Sequence, residues 1–151
     1  MRAIKAFDEF LKEGTVKRQK PDKSRAEFLI KEAEQDYSFL LKLIKRIGIN
    51  DENANSIVKI CYDIIMELIR AKMLLDGFKA SGVGAHEAEI SYLRNLGFNE
   101  KDIQLADQLR CIRNGILYYG TIIDKESAES TFNFLKNIYP KLKKLVSLET
   151  R

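Results

Sequence analysis

Apolar residues recur every three or four positions along most of the chain, the spacing of one buried face on an α-helix. Leu29, Ala33, Tyr37, Leu40, Ile44 and Ile47 share a face over 24–47, while Lys31, Glu34, Lys42 and Lys45 fall on the others. Ser24 with Glu27 three residues on fits a capping box and predicts the start of that helix. Over 51–76 one stripe runs Ile57, Cys61, Ile64, Leu68, Ala71, Leu75, and a second runs Val58, Tyr62, Ile65, Ile69, Met73. Two adjoining stripes make a face wider than one helix contact needs, so this helix is expected to be central or to be covered by a second copy. Ile90 and Leu93 mark a helix over 85–96. Leu105, Leu109, Ile112, Ile116 and Tyr119 mark one over 100–119. Phe132, Leu135, Ile138, Leu142 and Leu145 mark the last, over 125–147, with Pro140 expected to kink or break it. No segment reads as a strand. The fold class is all-α, an up-and-down bundle of about five helices.

The turns support that order. "LIKRIGIN" (43–50) and "YLRNLGFN" (92–99) share one pattern: a helix ends, Gly48 or Gly97 follows, then Ile49 or Phe98, then Asn50 or Asn99. Glycine suits the left-handed position after a helix, the apolar residue folds back on the last turn, and the asparagine is expected to cap the next helix. Ahead of the bundle (24–151), residues 1–23 read as a short docking helix carrying Phe7, Phe10 and Leu11, followed by the basic linker of "VKRQKPDKSR" (16–25). "DGFKASGVGAH" reads as a flexible loop, since no Gly-Lys-Ser/Thr follows to make a phosphate-binding loop.

Composition narrows the function classes. With 151 residues, 45% hydrophobic and two prolines, the chain suits one ordered domain. Its 26 basic and 22 acidic residues leave a net charge of +4, which permits a phosphate-rich partner without requiring one. Cys61 and Cys111 lie in separate helical patterns and read as reduced core thiols. "MRAIKAFDEF" lacks the apolar core of a signal peptide, and no run approaches the roughly 20 apolar residues that span a bilayer. A cytoplasmic protein with no membrane partner is the expectation. One histidine and two distant cysteines offer no metal-ligand spacing, so no metal or cofactor is expected. His86, beside Glu87, reads as a helix-end histidine making a local hydrogen bond, and the many carboxylates read as solvated ion pairs.

One octamer departs from this picture. In "RNGILYYG" (113–120), Arg113 sits at the edge of an apolar face, where it needs a carboxylate from another helix or an anion. Asp107, Arg110, Asn114 and Tyr118 line up along a polar stripe, with Asp107 placed to pair with Arg110. Gly115 costs about 1 kcal/mol against alanine inside a helix, which a bend or a close backbone approach at an interface would offset.

Arg113-Asn114, three residues and Tyr118 resemble the R-x4–6-H signature of HEPN domains, which begins Arg-Asn late in the fourth helix of a bundle. The likeness spans 24–147, including the long second helix and "HEAEISYL" ahead of a tight turn. It implies a compact, generally dimeric helical bundle. Many such domains are metal-independent ribonucleases of toxin–antitoxin, CRISPR or other defence systems, and some pair with a small nucleotidyltransferase. On the matching residues, Arg113 would bind phosphate and Asn114 would be its polar neighbour, with Arg110 and Tyr119 as flanking binding candidates. Tyr118 stands where active members carry histidine. A phenol of ordinary pKa near 10 is only about 0.1% ionised at pH 7 and is a poor general base. Some nucleotidyltransferase-linked members carry a tyrosine two places further on, where this chain has Gly120. Residues five apart on a helix point about 140° apart, so Arg113 and Tyr118 are expected to meet only in a cleft between two helices bent near Gly115. The resemblance therefore implies a homodimer whose interface cleft binds RNA or a nucleotide phosphate, with ribonuclease activity weakened or lost. The alternatives are a non-catalytic interaction module, such as a nucleotidyltransferase partner, and a ribonuclease that recruits His86.

Overall fold

The computed structural model describes the backbone of residues 3–150 and the side chains of 3–147. Six helices form an all-α bundle: α1 (Phe7–Glu13), α2 (Lys23–Arg46), α3 (Ala54–Asp76), α4 (Ala85–Asn95), α5 (Glu100–Tyr119) and α6 (Lys125–Thr150). Among the described residues no helix is long and apolar enough to cross a membrane.

Helix α3 is the central element and packs against α2, α4, α5 and α6. Both of its stripes are buried, from Ile57, Cys61, Ile64 and Leu68 on one to Val58, Tyr62, Ile65 and Ile69 on the other. The chain itself covers the wide face, which therefore no longer argues for a second copy. Helix α6 closes one side with fully buried Leu135 and Leu142 and with Tyr139 stacked on Tyr37, ring centroids 3.7 Å apart. Pro140 lies within α6, which the helix assignment runs through without a break.

Two short strands correct the purely helical reading. β1 (Val16–Arg18), inside the expected linker, pairs antiparallel with β2 (Phe78–Ala80), inside the expected flexible loop. The register sets Val16 against Ala80 and Arg18 against Phe78. A three-residue strand is too short for alternation to show, and its partner lies far along the chain. Pairing brings Phe7 of α1 against Phe78 and Tyr92, with ring centroids 5.1 and 4.6 Å away, so Phe7 and Phe10 belong to the core. Gly77, at φ +86°, enters β2 where an added Cβ would lie 2.8 Å from the Gln19 carbonyl oxygen.

Several local expectations change. Asp22, not Ser24, caps α2: its carboxylate accepts from the Arg25 amide, and Ser24 lies inside the helix. Asn99 caps α5 as expected, accepting from the Asp102 amide. Asn50 instead accepts from the amides of Glu52 and Asn53, making a turn ahead of α3, whose own N-cap is Asn53. Cys61 is buried, with its thiol pushed up to about 12 by burial, but Cys111 is exposed on the outer side of α5 and is not a core thiol.

Candidate functional site

Arg113 projects from α5 toward α3, its guanidinium carbon 5.3 Å from the centre of the Tyr62 ring. A cation over an aromatic face is held there by the ring quadrupole without being neutralised. The two arginines nearby are already engaged. Arg70 grips Glu89 through Nε at 2.7 Å and Nη2 at 3.1 Å. Arg110 donates to Asp107 at 2.8 Å, the pairing expected from sequence, and approaches Glu87 at 3.5 Å. Among the described residues Arg113 has no ion pair or hydrogen bond.

Arg113 lines a groove of about 420 Å³ that collects residues from four helices. On the Arg113 side lie Tyr62 and His86, with Tyr62 Oη 3.1 Å from His86 Nδ1. With the imidazole proton on Nε2, the phenol donates this bond across from α3 to α4, which makes it more than a local helix-end contact. Burial raises the Tyr62 phenol, Arg113 partly opposing, and so holds it protonated. Burial also lowers His86, against the pull of Glu89, so the imidazole is neutral near pH 7.

The other side of the groove is acidic. Glu32 and Asp36 on α2 and Asp63 and Glu67 on α3 are each four residues apart, one helical turn, and face one another across the two helices. Oxygens of Glu32, Asp36 and Glu67 lie within 4.8 Å of one another. This is an oxygen donor set of the kind hard divalent cations use, a spacing that a count of histidines and cysteines does not reveal. Burial pushes Glu67 up to about 7, with Asp36, Asp63 and Glu32 adding to the effect. Burial and Asp63 raise Asp36, and burial raises Asp63 while Arg113 pulls it down. Glu67 Oε1 is a buried oxygen without a hydrogen-bond partner.

The groove thus unites Arg113 with His86 but excludes the rest of the octamer. Asn114 is partly buried and does not line it. Tyr118 and Tyr119 are 69% and 84% exposed, beside exposed Leu117 and Ile122, at the far end of α5. Arg110 acts on His86 and Tyr62 only through its charge. Gly115 meets a neighbour from its own chain: Thr121 folds back so that an added Cβ would lie 3.0 Å from its Oγ1, and the Thr121 amide donates to the Gly115 carbonyl. Gly115→Ala in a Thr121→Ala background is therefore expected to stabilise the protein by about 1 kcal/mol over Thr121→Ala alone. Thermal unfolding of the two variants checks this, and a loss of stability would show that something other than Thr121 crowds the site.

The carboxylates and Tyr62 escape a reading of the sequence for separate reasons. Tyr62 looks like one more member of an apolar stripe, and lysines at helical spacing make acidic residues look solvated. The available signal was the paired four-residue spacing on the first two long helices. Comparison with family models, with curated proteins and with solved structures gives no match.

Proposed function

We propose that the chain is a HEPN-like protein that binds RNA or a nucleotide phosphate through Arg113, with ribonuclease activity weak or lost. The observation that carries this reading is the unpaired guanidinium of Arg113 at a groove where Arg70 and Arg110 both have carboxylate partners. A phosphate oxygen would supply the charge-assisted hydrogen bonds that Tyr62 cannot. The acidic wall confines an anion to the Arg113 side, next to His86 Nε2, which the Tyr62 bond leaves facing away from Nδ1.

The exposed run Leu117, Tyr118, Tyr119 and Ile122 supports a homodimer joined at the ends of α5, with Asn114 and Tyr118 contributing to a cleft shared by two copies. The setting inferred from the family likeness is a toxin–antitoxin or other defence system. The same apolar patch also suits a non-catalytic module that docks a small nucleotidyltransferase. Arg113→Ala is expected to weaken binding of a single-stranded RNA oligonucleotide about tenfold or more, measured by fluorescence anisotropy. Equal binding by wild type and variant would defeat the phosphate reading and favour the docking module. Incubation of bulk RNA with EDTA is expected to show little or no cutting by the wild type, and Tyr118→His to increase it.

A further inference from the structure

Three charges of one sign within 4.8 Å of each other are costly in a partly dehydrated groove, and two features of Glu67 show which of them gives way. Its Oε1 is buried and has no donor within reach, a poor environment for an ionised carboxylate and a tolerable one for a protonated acid. It also lies among Glu32 and Asp36 from α2 and Asp63 from its own helix, with oxygens of Glu32 and Asp36 within 4.8 Å. The remaining charged or titratable groups facing the groove are Arg70 on α3, which Glu89 of α4 neutralises, His86 on α4 and Arg113 on α5. No residue of α6 lines it.

We propose that a proton on Glu67 gates the groove: the protonated acid admits a phosphodiester to Arg113, and the ionised carboxylate drives it out. The inference rests on the phosphate reading of Arg113 and adds its regulation. The coupling is electrostatic. Asp63 links the two residues, since it feels the charge of Arg113 on one side and adds to the load on Glu67 on the other. Losing the Glu67 proton adds one negative charge to a wall whose only unpaired cation at neutral pH is Arg113. Titration of Glu67 near pH 7 places the change within the physiological range. Glutamine at this position would hold the groove permanently in the admitting state.

The test measures affinity for a short single-stranded oligouridylate from pH 6 to 8.5, with EDTA present so that no cation neutralises the carboxylates. A phosphodiester does not titrate in this range, so the change belongs to the protein. Wild-type affinity is expected to fall about fivefold as pH rises, the scale of one screened charge added to the groove. Glu67→Gln is expected to keep its low-pH affinity at pH 8.5, apart from the small loss that His86 causes in both proteins below pH 7. If Glu67→Gln falls in parallel with the wild type while Arg113→Ala still abolishes binding, the gate is wrong and the phosphate reading stands. If wild type, Glu67→Gln and Arg113→Ala all fail to bind at every pH, the phosphate reading itself is wrong. Carboxyl-carbon NMR of the wild type gives a check that does not depend on RNA or on a variant's folding: titration of Glu67 below pH 5 overturns the gate.

Discussion

Glu89→Ala is expected to lower the free energy of unfolding by about 3 kcal/mol. Glu89 is only 3% exposed and holds Arg70 through two hydrogen bonds, so truncation leaves a guanidinium half inside the protein with no counter-charge. Removing one partner of a buried pair costs about 3–5 kcal/mol. The Arg70 side chain is 35% exposed, and water reaching it should keep the loss near the lower end of that range. Glu89→Gln preserves one acceptor oxygen and should lose about half as much. Urea unfolding of both variants decides the matter: equal losses would mean that the site responds to side-chain volume and not to charge. The same substitution alters the groove, because Arg70 forms part of its wall and would become a second free cation beside Arg113.

Gly77→Ala should be about as damaging, for a steric reason. Any L-residue is strained by about 1 kcal/mol or more at φ +86°. At Gly77 the added methyl would also lie 2.8 Å from the Gln19 carbonyl oxygen, a backbone atom that itself accepts no relief by side-chain rotation. The Gln19 amide donates to the Gly77 carbonyl, so separating the two chains breaks the end of the β1–β2 pairing. The expected loss is about 3 kcal/mol. Gly48→Ala provides the control, since Gly48 has φ +83° with nothing within 4 Å of the added carbon. Only the conformational strain, about 1 kcal/mol, applies there. Losses of the same size at both positions would show that the Gln19 contact is relieved by a small backbone shift.

The helices were legible because burial imposes a period of 3.6 on runs of twenty residues, long enough for the pattern to stand out. The position of α5 follows directly from Leu105, Leu109 and Ile112 together with the Asn99 cap. The strands were hidden because three residues carry no period and their pairing depends on a partner outside any local window. Asp22 was passed over as a cap because Ser24 and Glu27 satisfy a local pattern equally well, and only tertiary structure shows which begins the helix. At the site, Arg113 stood out through its placement on an apolar margin. Its companions did not, because Tyr62, His86 and Glu67 come from two other helices and meet only when the bundle closes. Tyr118 shows the opposite limit: five residues from Arg113 in sequence, it ends up on the exposed tip of α5.

The β1–β2 pairing has a consequence for the order in which a growing chain can settle. Translation runs from the amino terminus, so β1 emerges about sixty residues before β2 (Arg18 to Phe78) and has no partner during that interval. The α2–α3 hairpin can form first from contacts close in sequence, leaving α1 and β1 undocked beside it. Phe7 and Phe10 find their pocket only after Phe78 and then Tyr92 have been made. The first segment to leave the ribosome is thus among the last to be secured, and truncating the nascent chain before β2 should leave α1 open to protease.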